Sequence, residues 1–465
     1  MVLISEIRSE TRPYLLVWIV YYAWALTFVT AHTSAPGSHS IYSLETRAWV
    51  HGALLLCTAV LISVYNKRRF VKIARIGAVV LLCALSAFLF LLPDSHRVMA
   101  APIIGSAMGM VNVGILIPFV FILNNTEKFY AVLLSNLLQN VLVLLTQLNW
   151  QSRAEKALSF LLLVVSMIPL LRFKTTALID ESSLPKPKPK KITYFTLAIN
   201  FVFAILVLGF GNFFLNHMLE TGFSSAGMWN AIGGLAGCGL YLLVFAFIRK
   251  SLQVVWNITF ACFFLAILCS SIGQGYTAAL VVTAIFIGLS CTMGMINMFY
   301  NVGIIGKKYG NKNHLRLVFW FGAVGGGFCI LLNRFYERWD VSATLIAALI
   351  VSSVMVVFYF VVSPILARTY FEDSWVDDSE ASDIIEIGKA VSKTDLLNNL
   401  SLTPREKEVC ALLLKSLTVR QIAGELGLSF ATVNGYYRSL YKKLGIGSKA
   451  ELFMRFGVDS VVNIK

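Results

Sequence analysis

The 465-residue sequence predicts an all-α protein in two parts: a helical membrane domain of twelve spans, then a soluble four-helix domain. Apolar runs of roughly 18–25 residues recur as far as about residue 366, each long enough to cross a hydrocarbon core of about 30 Å. The chain is 57% hydrophobic and only 14% charged, with a mean hydropathy of +0.75, far above that of a soluble domain. Beyond residue 400 the pattern changes to short amphipathic helices, three of which open on Ser or Thr followed at the third position by Glu or Gln.

The spans are expected at about 13–33, 47–65, 74–92, 98–123, 129–148, 157–171, 192–216, 225–248, 254–272, 277–299, 316–332 and 341–366, the sixth being the shortest. They divide into a first half over 1–171 and a second over 192–366. Between the halves, 172–191 is a polar connection ending Pro185-Lys186-Pro187-Lys188-Pro189-Lys190-Lys191. Alternating Pro and Lys cannot form a helix, and its charges suit anionic headgroups. The first span follows a short leader carrying Arg8 and Arg12 and is too long for a cleaved signal peptide, so it should remain as a helix.

Orientation follows from the basic residues. With the N-terminus inside, cytoplasmic segments before residue 367 hold twenty Lys and Arg and external segments six. The positive-inside rule therefore predicts that both termini are cytoplasmic. An even number of spans then delivers the C-terminal domain to the cytoplasm.

Within the spans, amides and aromatics take the place of charges. Trp18 and Tyr22 in the first, Asn136 in the fifth and Asn230 in the eighth are candidates to line a site for an uncharged or aromatic small molecule. Interhelical hydrogen bonding and interfacial anchoring account for the same residues. Gly105-x-x-x-Gly109 and Gly233-x-x-x-Gly237 read as close helix contacts. The acidic residues of the first 366 fall in loops or at span ends, whereas proton-driven carriers place carboxylates at membrane depth. Eight cysteines include no C-x-x-C, so neither a disulfide framework nor a metal site is expected. No nucleophile–base pair or phosphate loop is present, and an enzyme or a bound cofactor is not expected.

Residues 367–400 form an acidic linker, with Glu372, Asp373, Asp377, Asp378, Glu380, Asp383 and Glu386 uninterrupted by Lys or Arg. The domain at 401–465 follows. Thr403…Glu406, Thr418…Gln421 and Ser448…Glu451 are capping boxes, and Pro404 suits a first helical position. Gly427 and Gly445 stop the second and third helices. The second helix (about Thr418 to Leu426), the turn at Gly427-Leu428-Ser429 and the third helix (about Phe430 to Leu444) make a helix-turn-helix. On the third helix Val433, Tyr437, Leu440 and Leu444 give a core side, while Asn434, Arg438 and Lys442 make a polar stripe. Arg and Asn can each form two hydrogen bonds to a base edge, and Lys442 and Lys443 suit phosphates. Ten Lys and Arg against five acids in Ser401–Lys465 fit a polyanion such as double-stranded DNA.

Leu402-Thr403-Pro404-Arg405-Glu406-x-Glu408-Val409, Ile422-Ala423-x-x-Leu426, Ser429-x-x-Thr432-Val433 and Lys443-Leu444-Gly445 resemble the LuxR-type helix-turn-helix signature over about 55 residues. The resemblance implies base reading by Asn434, Gly435 and Arg438, and phosphate contacts by Arg420, Ser429 and Thr432. It also implies a homodimer on DNA joined through the fourth helix, about Ser448–Phe456. The family usually has Lys where this chain has Asn434 and His where it has Tyr436, which leaves the operator sequence open.

The six-plus-six spans with a basic middle loop resemble the major facilitator superfamily. That superfamily carries a Gly…Asp-Arg…Gly-Arg-Arg pattern between spans two and three; here Tyr65-Asn66-Lys67-Arg68-Arg69-Phe70 keeps the basic residues alone. Together these features read as a membrane-bound one-component transcription regulator of a bacterial inner membrane, sensing a small molecule. A transporter with a regulatory DNA-binding tail, or a plain membrane anchor, are the alternatives.

Overall fold

The computed structural model describes residues 7–29, 46–65, 69–147, 152–173, 198–247, 252–272, 276–309, 315–325, 327, 340–371, 402–414 and 419–444. The chain forms two compact units, Met1–Trp375 and Val376–Lys465.

Every regular element among the first unit's described residues is a helix. α1 (Arg12–Trp24) continues into a π-helical turn at Ala25–Val29. α2 (Thr46–Val64) and α3 (Phe70–Ser86) follow, then α4 (Asp94–Phe121), α5 (Asn125–Thr146) and α6 (Ser152–Met167). In the second half, α7 (Gly211–Glu220) is preceded by a π-helical stretch at Ala204–Phe210. α8 (Ala226–Phe247), α9 (Leu252–Ile272), α10 (Thr277–Tyr309), α11 (Leu315–Gly325) and α12 (Val341–Phe371) complete it. Each expected span overlaps one of these helices where its residues are described, and among the described residues nine helices are long and apolar enough to cross a membrane.

The two halves repeat one packing scheme. The second helix of each lies against the fourth (α2 on α4, α8 on α10), and the third does so too (α3 on α4, α9 on α10). Glycines sit where the second and fourth helices approach most closely. A Cβ at Gly105 would run into the Val50 carbonyl, and one at Gly109 would lie 2.7 Å from Cys57 Cβ. In the second half, Cβ atoms at Gly233 and Gly288 would collide with the backbone carbonyls of Ile285 and Asn230. Close backbone approach of this kind is how small residues join helices in lipid. π-helical segments occur in the first helix of each half and also at Ala87–Leu91, directly after α3.

α5 and α8 join the halves, and rings from both fill the seam. Phe129 stacks on Phe245 with centroids 3.8 Å apart and meets Tyr300 edge-on at 6.0 Å. Trp18 of α1 stacks on Phe119 at 3.6 Å and meets Phe299 of α10 at 5.7 Å. Trp320 of α11 donates its indole N–H to Ser63 of α2 at 3.0 Å.

Several segments depart from the expected boundaries; α10 runs to Tyr309, ten residues past the expected end at 299, and α3, α4 and α6 start a few residues earlier than expected. The 124–128 stretch, expected as a loop, starts α5. The Asn124 side chain accepts from the Glu127 amide at 2.6 Å, and the Glu127 carboxylate accepts from the Asn124 amide at 2.8 Å, a reciprocal cap. The fully buried Glu127 also pairs with Arg8 at 3.1 Å and accepts from the Thr11 hydroxyl, tying the leader to this turn. The last helix runs to Phe371, past the expected end at 366, because Ala367–Phe371 contains neither Gly nor Pro to stop it.

In the second unit, α13 (Pro404–Leu414), α14 (Val419–Leu426) and α15 (Phe430–Leu444) enclose a core of Leu402, Val409, Cys410, Leu413, Ile422, Ala423, Val433, Leu440, Tyr441 and Leu444. The acidic run and the expected fourth helix lie outside the described residues.

Candidate nucleic-acid interface

Local chemistry places each helix of the second unit. The Thr403–Glu406 box starts α13: the Thr403 amide donates to Glu406 Oε2 at 2.7 Å and the Glu406 amide to Thr403 Oγ1 at 3.3 Å. The Thr418 and Ser448 boxes lie outside the described residues. α14 ends in a paired-amide cap, with Leu428 donating to the Ala423 carbonyl at 3.0 Å and Gly427 to that of Gly424 at 3.4 Å. Gly427 has φ +64, a conformation that costs other L-residues energy, so glycine is required there. Ser429 then caps α15, its hydroxyl accepting from the Thr432 amide at 3.1 Å and its carbonyl from the Val433 amide at 3.1 Å.

Those two caps set the helix-turn-helix, and burial orients its second helix. Val433, Leu440, Tyr441 and Leu444 face the core, and Tyr437 is half-buried with its ring 4.1 Å from that of Tyr441. The opposite side presents Gly435, Arg438 and Lys442 exposed, with Asn434 partly so. Ser429 and Thr432 are exposed beside them, their hydroxyls 2.7 Å apart. A Cβ at Gly435 would meet nothing within 4 Å, so no packing demand explains glycine there. Arg420 falls on α14; its side chain is outside the described residues. Lys442 and Lys443 also complement the helix C-terminal dipole.

Lys443, also expected to suit a phosphate, is paired within the unit. Its ammonium lies 2.8 Å from Glu406 Oε2, and Ser439 donates to Glu406 Oε1 at 2.6 Å. The carboxylate is buried and receives the Thr403 amide besides, so it ties α13 to α15. These donors, Lys443 foremost, hold its pKa down to about 2. From sequence Glu406 is legible only as a capping residue, because a partner 37 residues away leaves no local signal. Cys410 is buried in the same core, and desolvation pushes its thiol up to about 11, which makes it inert packing at neutral pH.

In the membrane unit the candidate ligand residues divide into two groups. Trp18 and Tyr22 stack together at 4.2 Å and are buried; the Tyr22 hydroxyl donates to Asn112 Oδ1, whose amide donates to Thr58 at 3.3 Å. Asn136 donates to the Val132 carbonyl of its own helix at 2.9 Å. Next along α5, Asn140 reaches Thr292 of α10 at 3.3 Å, bridging the halves. Asn230 on α8 is partly exposed and keeps a buried carbonyl oxygen without a hydrogen-bond partner among the described residues. No group of three His, Cys, Asp or Glu among the described residues is placed to hold a metal ion.

Comparison with known proteins agrees with this division. Residues 400–456 match the GerE family, described as bacterial regulatory proteins, luxR family. The C-terminal unit therefore carries a LuxR-family helix-turn-helix domain. Over 70 residues the chain is 37% identical to the probable HTH-type transcriptional regulator GfsR of Streptomyces halstedii, covering 15% of this chain and 29% of that protein. Over 55 residues it is 47% identical to a putative HTH-type transcriptional regulator in the exeN 3' region of Aeromonas salmonicida, covering 12% and 28%. The chain thus spans less than a third of the length of these curated relatives. The crystal structure of the major facilitator superfamily transporter FucP, in its outward conformation, superposes with a TM-score of 0.53 at 12% identity, covering 76% of this chain and 99% of that one. The membrane unit has that superfamily's fold. Neither likeness is to an enzyme family.

Proposed function

We propose that the chain is a membrane-bound one-component transcription regulator, in which a transporter-like domain senses a small molecule and controls DNA binding by the C-terminal helix-turn-helix. The observation that carries this reading is α15, a capped helix showing Asn434, Gly435, Arg438 and Lys442 to solvent in a LuxR-family domain whose chain has, among its described residues, nine potential membrane-crossing helices. Asn434 and Arg438 would read base edges, while Arg420, Ser429, Thr432 and Lys442 would hold phosphates. Two copies would pair on DNA through the segment near 448–456.

For DNA to be reached, the C-terminal unit must be cytoplasmic, and with an even number of spans the N-terminus is cytoplasmic too. The excess of Lys and Arg in the leader, the 172–191 loop and 307–316 supports that orientation. Recognition of an uncharged or aromatic ligand would fall to Trp18, Tyr22, Asn136 and Asn230. The unpartnered carbonyl of Asn230 supports a polar contact there.

Cross-linking of the full chain to DNA in native membranes, followed by sequencing, tests the reading. Discrete enriched sites, lost on Arg438→Ala, are expected. Reporter fusions after Ala367 and within Pro185–Lys191 should report cytoplasm, and one near Ser38 the exterior. Reversal at two of these three would sink the reading.

A further inference from the structure

Among its described residues the C-terminal unit exposes a single large apolar side chain, Phe430, at 52% exposure. It occupies the first position of α15, directly after the Ser429 cap. Phe430, Asn434 and Arg438 are spaced four apart and follow one another along one side of the helix. A lone exposed apolar residue on a protein surface is ordinary. Its place here is not, because recognition helices present their N-terminal residues to base edges in the major groove. The neighbouring side chains of Ser429 and Thr432 are engaged with each other through their hydroxyls, 2.7 Å apart. Phe430 is thus the large side chain this first turn projects beyond the cap.

We infer that Phe430 reads a thymine, by packing its ring against the base's C5-methyl group in the major groove. This role for Phe430 rests on the proposed entry of α15 into that groove. Thymine alone among the four bases shows an apolar group there, and a phenyl ring has nothing else on a base edge to recognise. Water is displaced from both partners, so discrimination comes from apolar burial and not from hydrogen bonds. Asn434 and Arg438, one and two turns further on, then read polar edges of successive bases. The operator half-site is expected to carry a thymine at the position facing the start of α15, flanking the base pair read by Asn434.

The test uses the full chain in lipid nanodiscs. Bound duplexes are selected from a random pool, and each thymine of the selected sequence is then replaced singly by uracil, which removes only the methyl group. The wild-type protein should lose about three- to ten-fold in affinity at one thymine per half-site, the scale of one buried methyl contact. Phe430→Ala should lose less than about two-fold at that uracil, and Phe430→Leu should keep part of the preference. Tolerance of uracil at every position by the wild type would overturn the inference. So would undiminished uracil sensitivity in Phe430→Ala, or a loss in that variant equal on all sequences, which would place the ring on the backbone. A wild-type pool with no enriched sequence would defeat the DNA-reading role of α15 itself, and this inference with it.

Discussion

Glu406 and Lys443 lie 2.8 Å apart with the carboxylate buried, and through them the first helix of the DNA-binding unit is bound to the end of its recognition helix. Glu406→Ala removes the acceptor of the Thr403 amide, the Ser439 hydroxyl and the Lys443 ammonium together. We expect this unit to lose about 1–3 kcal/mol, from a broken cap and unsatisfied buried donors. Denaturant unfolding followed by the fluorescence of a probe attached to this unit would measure it.

The same carboxylate gives a pH dependence of fixed sign. Its folded pKa, about 2, lies below the ordinary carboxylate value, so the folded state binds the proton less readily than the unfolded one. Its contribution is therefore fully present above roughly pH 4–5 and is lost as pH falls toward 2. In Glu406→Gln that part of the acid limb should flatten.

Adjacent lysines should separate in their effects. Lys442 is exposed and is proposed to hold a phosphate, so Lys442→Ala should weaken all sequences alike and lower the salt slope by about one. Lys443 is committed to Glu406 and should register mainly as stability lost. DNA titrations at several salt concentrations, set beside unfolding curves, would distinguish the two.

In the membrane unit, Gly288→Ala should force α8 and α10 apart, since its Cβ would collide with the Asn230 carbonyl. Gly239→Ala meets nothing within 4 Å and should change little. Thermal unfolding in detergent should show a clear drop for the first and no more than a small change for the second.

Glu127→Ala should cost about 2–4 kcal/mol, because the Asn124 amide, the Thr11 hydroxyl and Arg8 all lose their acceptor. Glu127→Gln keeps an acceptor for the cap and should fall between that variant and the wild type. An unchanged melting temperature in Glu127→Ala would show that the leader is not held by this turn.

How far the sequence could be read depended on whether a feature is local. Spans are written as consecutive apolar runs, the start of α13 in a capping box within three residues of Thr403, and the helix-turn-helix in Gly427 and Ser429. Tertiary pairings were out of reach. Glu127 looked like a loop acid because its cap is Asn124 and its counter-ion sits 119 residues away at Arg8. Tyr437 and Tyr441 both lie near the apolar side of α15, and only packing against α13 and α14 decides that Tyr441 is the buried one. Trp18 and Tyr22 could equally have faced a ligand or the protein, and it took the rings of Phe119 and Phe299 to show what they pack on.

The central claim is that a chain embedded in the membrane reads DNA through α15. The most direct measurement is the affinity of full-length protein in lipid nanodiscs for a duplex selected by the wild type, compared with Arg438→Ala on the same duplex and on a scrambled one. The account predicts a loss of about 1–3 kcal/mol for Arg438→Ala on the selected duplex and little change on the scrambled one. Equal binding of the selected duplex by both proteins, or no preference of the wild type over the scrambled sequence, would contradict it.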